Sequence, residues 1–263
     1  MVRIEHIWDK ELHCKVTVKH CASAAREHAL MSMFDTPVII KPLALRADTI
    51  VMPHCMERSA EGIAGYCSEQ TAWKFLHDVA AGLVHIHGKG YIHHDIKPSN
   101  ILITEGGFAI GDFGACFKTG DLSPCIEDDD TTHAFSAPEW SRDKKHTVPK
   151  SDIWALGASA FQIIMGVHIF NGRGGKAQKA TTQIPSLPKD RYSKELSSLI
   201  CACLAFNPED RPDAGDIVET AHQKLDTTIK RERKIKIANS HAMLPEMHEL
   251  WPEEMDARQF DNR

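Results

Sequence analysis

Two short runs place carboxylates, an amide and a cation at spacings that suit phosphoryl transfer. His93-His94-Asp95-Ile96-Lys97-Pro98-Ser99-Asn100 sets a lysine two residues after an aspartate and an asparagine three further on. Asp112-Phe113-Gly114 begins twelve residues after Asn100. Such transfer asks little covalent work of a protein. It needs a carboxylate beside the acceptor hydroxyl, oxygen ligands for a divalent metal, and a cation on the phosphates. Upstream, Lys15-Val16-Thr17-Val18-Lys19 ends on a lysine, with Glu27 eight residues later. A lone Lys–Glu pair is more often solvated surface charge, so this pair gains meaning only from the other runs.

The elements that must position these groups are legible in part. Lys15–Lys19 alternates polar and apolar side chains, as a half-buried strand does, and residues 1–20 read as strands. Ala25, Ala29, Leu30 and Met33 predict a helix over 22–34, stopped by Pro37. Val38–Leu45 and Thr49–Met52 read as two more strands. Ser68 is a plausible N-cap for a helix carrying Trp73, Leu76, Val79, Ala80 and Leu83, closed by Gly88 and Gly90. Short strands at Ile101–Ile103 and Phe108–Ile110 flank the turn pair Gly106-Gly107. Trp154–Val167 is apolar, too short for the roughly 20 residues of a membrane span, and reads as a buried helix.

Composition narrows the class. With 263 residues, the chain has room for one large domain or two small lobes around a cleft. Apolar residues make up 42%, ordinary for a globular protein, and a net charge of -5 gives no reason to expect nucleic acid. The N-terminus has no long apolar stretch of a secretory signal. The eight scattered cysteines form no Cys-x-x-Cys pair, which suits a reduced, cytoplasmic protein. The sixteen histidines show no clustered metal spacing and read as surface and structural groups.

The run from His93 to Asn100 resembles the catalytic loop of eukaryotic-type serine/threonine protein kinases, His-Arg-Asp-x-x-x-x-Asn, and Asp112-Phe113-Gly114 their Asp-Phe-Gly motif. Ala137-Pro138-Glu139 resembles the Ala-Pro-Glu that closes the activation segment, 28 residues from Asp112 to Glu139. The resemblance covers nearly everything from residue 4 to about 225. It implies an α+β, two-lobed kinase fold over residues 1–225, with an N-lobe about 1–53 and a C-lobe about 57–225. Residues 226–263 are left as a basic segment and tail, a possible docking element for a partner. It also implies ATP and Mg²⁺ as cofactors and a protein as substrate.

Residue by residue, the resemblance implies that Asp95 accepts or orients the substrate hydroxyl proton and that Lys97 neutralises the moving phosphoryl group. A lysine there points to serine/threonine specificity. Asn100 and Asp112 would bind Mg²⁺, and Lys19, paired with Glu27, would grip the α- and β-phosphates. Thr132 would contact Asp95 and Lys97. Met52 falls at the gatekeeper position, Pro53 can offer only its carbonyl, and Cys55 would complete the adenine contacts. Ile4 and Thr17 above and Leu102 below would sandwich the ring. Glu139 should pair with Arg211, and Asp152 should steady the catalytic loop backbone.

Two departures shape the expectations. Counting back from Lys19 puts Ile4 in the place of the valine after the glycine-rich loop, and no glycine precedes Gly62. Three readings compete: the sequence is part of a longer protein that carries the loop, the protein is a kinase that manages without it, or it is a pseudokinase. The expectation is a minimal member lacking that loop, with reduced ATP affinity. His94 replaces the arginine that receives a phosphate on the activation loop, so loop phosphorylation should matter less. The acidic run Glu127–Asp130 is a solvated face, or else imitates a phosphate or attracts a basic substrate. Ser123, Thr131 and Thr132 are candidate phosphorylation sites. Two alternatives stay open: a pseudokinase that binds nucleotide weakly and works through partners, and a small-molecule kinase. The complete polar set speaks against the first, and the Thr132, Ala137–Glu139 and Arg211 platform against the second.

Overall fold

The computed structural model describes residues 2–55, 59–121, 133–142 and 148–242. The alternating run Cys14–His20 forms β2, which pairs antiparallel with β1 (Arg3–Asp9) and with β4 (Thr49–Pro53). With β3 (Ala44–Arg46) these make a four-stranded sheet in the order β1-β2-β4-β3. Val16 and Val18 share one face with Val51 and pack as a small core. Thr17 and Lys19, one residue out of phase, take the other face. Helix α1 (Ala24–Ser32) buries Ala24, Glu27, Leu30 and Met31, which return on one side at helical spacing.

The expected strand over Val38–Leu45 is corrected. Ile39 makes only an isolated bridge, parallel to Ile110, and β3 starts at Ala44. The backbone groups that a sheet neighbour would need are taken elsewhere. Ile40 N–H donates to the Ile110 carbonyl and Ile110 N–H to the Val38 carbonyl, both at 2.9 Å, while Pro42 has no N–H to give.

After residue 59 the chain is mainly helical. Helix α2 (Glu69–Gly88) starts at Ser68, whose Oγ accepts the Thr71 N–H at 3.1 Å. Four short strands follow: β5 (Tyr91–Ile92), β6 (Ile101–Thr104), β7 (Gly107–Ile110) and β8 (Phe117–Lys118). They pair β5 with β8 and β6 with β7. Helix α3 (Pro138–Arg142) precedes α4 (Pro149–Met165), which is buried on every side from Ser151 to Ile164 and acts as the central post. Gly166, at φ +72°, ends α4 in the left-handed conformation a glycine adopts freely. Helix α5 (Lys194–Cys203) approaches so closely that a Cβ at Gly157 would stand 2.8 Å from that of Cys203. The last helix is α6 (Ala214–Ala242). By contacts, Met1–Gln223 is one unit and Lys224–Arg263 another. The sheet-bearing first part and helical second part of the larger unit make a kinase-like α+β fold. Among the described residues no helix is long and apolar enough to cross a membrane.

One buried pair fastens α3 to the segment after α5. Arg211, 2% exposed, grips Glu139 with two parallel hydrogen bonds of 2.7 Å. Its remaining N–H groups go to the carbonyls of Ala205, Phe206 and Lys150, so its five donors are all engaged. Burial alone would raise the Glu139 carboxyl, and the Arg211 fork reverses this and holds it below its usual range. Removing one partner strands the other charge. Arg211→Ala should therefore cost about 3–5 kcal/mol, seen as a large fall in melting temperature. Arg211→Lys should recover little of it, since an ammonium cannot reproduce the planar fork. A lysine variant that melts with the wild type would sink this account.

Candidate active site

Lys19 extends from β2 into a gap between two carboxylates. Its Nζ is 2.8 Å from Glu27 Oε1 on α1 and 2.7 Å from Asp112 Oδ1. Lys19 and Glu27 are both buried. Burial works against the ammonium, but Asp112 and Glu27 outweigh it and push the Lys19 pKa up. Asp112 shows the mirror effect: burial raises it, and Lys19 more than reverses that. Lys19 and Asp112 are thus each held in the charged form. Glu27 Oε1 also accepts the Phe113 N–H at 3.1 Å, and Cys21 Sγ lies 3.7 Å from Oε2.

Asp112 takes a left-handed backbone (φ 55°), unusual for a residue with a side chain, and accepts the Gly114 N–H at 3.2 Å. The turn drives Phe113 inward, where its ring packs edge-on against His93 at 4.9 Å and in a tilted arrangement against Phe34 at 5.7 Å. Arg26, one residue before Glu27, donates to the carbonyls of Gly114 and Cys116 and lies 4.0 Å over the Phe117 ring. Helix α1 is thereby tied to the residues after Asp112 at two adjacent positions.

The catalytic-loop residues gather on the other side. Asn100 Nδ2 donates to Asp95 Oδ2 at 2.7 Å and to the Asp95 carbonyl at 2.9 Å, and Lys97 Nζ is 3.0 Å from the same Oδ2. The loop is held from beneath by Asp152 of α4. Its carboxylate accepts the N–H groups of His93 and His94 and bonds the His87 imidazole, each at 2.9 Å. Burial would raise the Asp152 carboxyl; His87 and the neighbouring histidines hold it below its usual range instead. His94, where the resemblance expects arginine, has its pKa pushed down by burial, against a smaller pull from Asp152. It therefore brings no fixed cation to this position at neutral pH.

A cleft of about 240 Å³ lies above these groups. Ile4, Thr17, Lys19, Met52, Cys55, Asn100, Leu102 and Asp112 line it. The pairings Ile4↔Lys19 and Thr17↔Met52 put the first four side by side. Pro53 ends β4 outside the lining, with its carbonyl 3.8 Å from the Cys55 thiol. Thr132 and the run 127–130 lie outside the described residues, as do Ser123 and Thr131.

Sequence reasoning missed His6, Ser59, Ser99 and Gly111, which also line the cleft. Strand alternation from Ile4 could have found His6, whose Nδ1 is 3.1 Å from Thr17 Oγ1. Nothing in the local sequence marks Arg26 or His87, because their partners lie 88 and 65 residues away.

The donor set fits a magnesium–nucleotide complex. Asn100 spends its amide N–H groups on Asp95, which leaves Oδ1 as a ligand. Asp112 engages Oδ1 with Lys19 and Gly114, and among the described hydrogen bonds Oδ2 takes none. Two protein oxygens, completed by phosphate and water, is how Mg²⁺ is commonly held.

Because the Asp152 carboxyl lies lower folded than unfolded, its stabilising effect is complete above the ordinary value of 3.8. It is lost as pH falls through the folded value. The stability gap between wild type and Asp152→Asn, measured by urea unfolding, should therefore be widest near neutral pH and narrow towards about pH 3. A gap independent of pH would exclude the ionised carboxylate as the loop's anchor.

Comparison with known proteins agrees with this geometry. The serine/threonine-protein kinase pim-2 of Danio rerio is 33% identical over 157 residues, 59% of this chain and 48% of its own length. GRIK1, a serine/threonine-protein kinase of Arabidopsis thaliana, is 37% identical over 162 residues, 60% of this chain and 40% of its own. The serine/threonine-protein kinase ppk11 of Schizosaccharomyces pombe is 30% identical over 158 residues, 58% and 50% respectively. The chain thus spans half or less of the length of these relatives. Residues 9–223 match the family described as the protein kinase domain, and the chain belongs to that family.

Proposed function

We propose that this chain transfers the γ-phosphate of ATP to serine or threonine on a protein. The observation that carries this reading is the joint geometry of Asp95, Lys97 and Asn100 opposite Lys19 and Asp112. Asp95 Oδ2 is held by an amide and an ammonium, which leaves Oδ1 to orient an incoming hydroxyl and take its proton. The Lys97 ammonium stays close enough to balance charge that develops there. Lys19, kept charged by Glu27 and Asp112, grips anionic oxygen at the far side of the cleft. Bound Mg²⁺ supplies charge neutralisation across the phosphates, with Asn100 and Asp112 as its ligands. Ile4, Thr17, Met52, Cys55 and Leu102 hold the adenine, and the Pro53 carbonyl at the end of β4 is assigned to it on the family resemblance alone. Thr132 is assigned the contact with Asp95 and Lys97 on the family resemblance alone.

Serine/threonine specificity rests on Lys97 and on the three relatives cited, each named as such an enzyme. The free thiols of Cys14, Cys21, Cys55, Cys67, Cys116, Cys201 and Cys203 support a reducing compartment, the cytoplasm. Burial pushes Cys67, Cys116 and Cys203 up to about 12, which keeps them protonated and inert. The segment 226–263, with its basic run Lys230–Lys236, is proposed to dock a partner.

The test is label transfer from ATP with magnesium to a generic protein substrate. Wild type should transfer to Ser and Thr, and Asp95→Ala should lose at least about a hundredfold, the scale of a general base. Lys19→Met should lower transfer as strongly, and should also lower the melting temperature, because it leaves the buried Glu27 carboxylate without its cation. Nucleotide binding without transfer in any preparation would instead favour the pseudokinase.

A further inference from the structure

The 24 residues from Gly166 to Lys189 contain no Asp or Glu, in a chain whose net charge is -5. They carry Arg173, Lys176, Lys179 and Lys189, all exposed and with no ion pair among the described residues, and the first three lie on or beside the turn Gly174–Ala177. A charged run on a surface is usually no more than a solvated face. This one is built onto the end of the segment that closes at Ala137-Pro138-Glu139.

The attachment is backbone on backbone. Gly175 N–H donates to the Ser136 carbonyl at 2.8 Å. A Cβ at Gly174 would collide with the His133 carbonyl oxygen, and one at Gly175 with the Pro138 nitrogen. Only glycines let the turn Gly174–Ala177 lie this close. The approach to it is costly: Phe170 and Asn171 both take φ near +50°, a conformation that disfavours a bulky side chain. The His168 ring adds an edge-on contact to Phe135 at 5.5 Å. The receiving segment in turn borders the catalytic loop. Phe135, Ser136 and Ala137 line a small cavity together with His94, the neighbour of Asp95.

We propose that Arg173, Lys176 and Lys179 form a recognition surface for acidic residues that flank the phosphoacceptor of the protein substrate. This rests on the kinase reading above and adds to it a class of substrate. Lys176 on the turn pinned against Ser136, with Arg173 and Lys179 flanking it, would attract Asp or Glu on a bound peptide and repel Lys or Arg. The turn is held by its own backbone, so little ordering is required when a peptide arrives.

The experiment uses two short fluorescein-labelled serine peptides, identical except that Glu residues on both sides of the serine become Gln. Anisotropy titrations with the full chain measure binding without requiring transfer. The Glu peptide should bind about tenfold more tightly than the Gln peptide, and the preference should shrink as salt rises. Arg173→Glu, Lys176→Glu and Lys179→Glu together should abolish or invert it. Gln at the same three positions should weaken it to an intermediate level, which guards against a charge-reversed chain that fails to fold. Equal binding of the two peptides to wild type overturns the proposal, and so does a preference that survives charge reversal. A Glu preference in binding with no transfer to either peptide supports the surface while counting against the kinase reading.

Discussion

A buried ammonium needs partners, and Lys19 takes its two from parts of the chain that are distant in sequence. Glu27 comes from the helix after its own strand, and Asp112 lies 93 residues away. Left alone in the interior, the Lys19 or the Glu27 charge would cost several kcal/mol. Their mutual satisfaction therefore requires β2, α1 and the Asp112 turn to meet. The left-handed Asp112 backbone, the inward Phe113 ring and the Arg26 contacts with Gly114 and Cys116 all follow from that meeting.

The helical part applies the same rule beneath the loops. Asp152 is buried on α4 and uses its oxygens on loop N–H groups and on His87. Arg211 is buried and uses every N–H on Glu139 and nearby carbonyls. In each case a charge that cannot reach water holds a loop backbone from below. Functional side chains can then stand on irregular chain without losing their geometry, because the irregular chain is pinned to rigid helices. His94 fits this pattern differently: burial keeps it neutral, so its ring packs beside Phe117 where a guanidinium would contribute charge.

Much of the candidate site was legible because its chemistry lies in short contiguous motifs. Asp95, Lys97 and Asn100 come together as their spacing suggested, and Asp112 meets Lys19 across the cleft. Elements with strong local signals also emerged close to expectation, such as the helix capped by Ser68 and the apolar helix around Trp154. Val38–Leu45 failed as a strand because local apolar character cannot reveal that Ile110 claims its hydrogen bonds. Pro53 stood at the expected place in sequence yet lies outside the cleft lining.

By itself, the sequence determined the residue types, their order and the local periodicity. Those suffice for the catalytic loop, the Asp-Phe-Gly turn, the main helices and the protein-kinase family. Only the tertiary structure decided which carboxylate each cation meets, that Arg26 clasps the carbonyls after Asp112, and that His6 faces the cleft beside Thr17. It alone brought the basic turn at Gly174-Gly175 against Ser136. The physical reason is one of range. Helix and strand preferences, caps and turns act over a few residues, so they can be read along the chain. Buried charge pairing and backbone close approach act between segments tens of residues apart, and they take definite form only when the chain has folded.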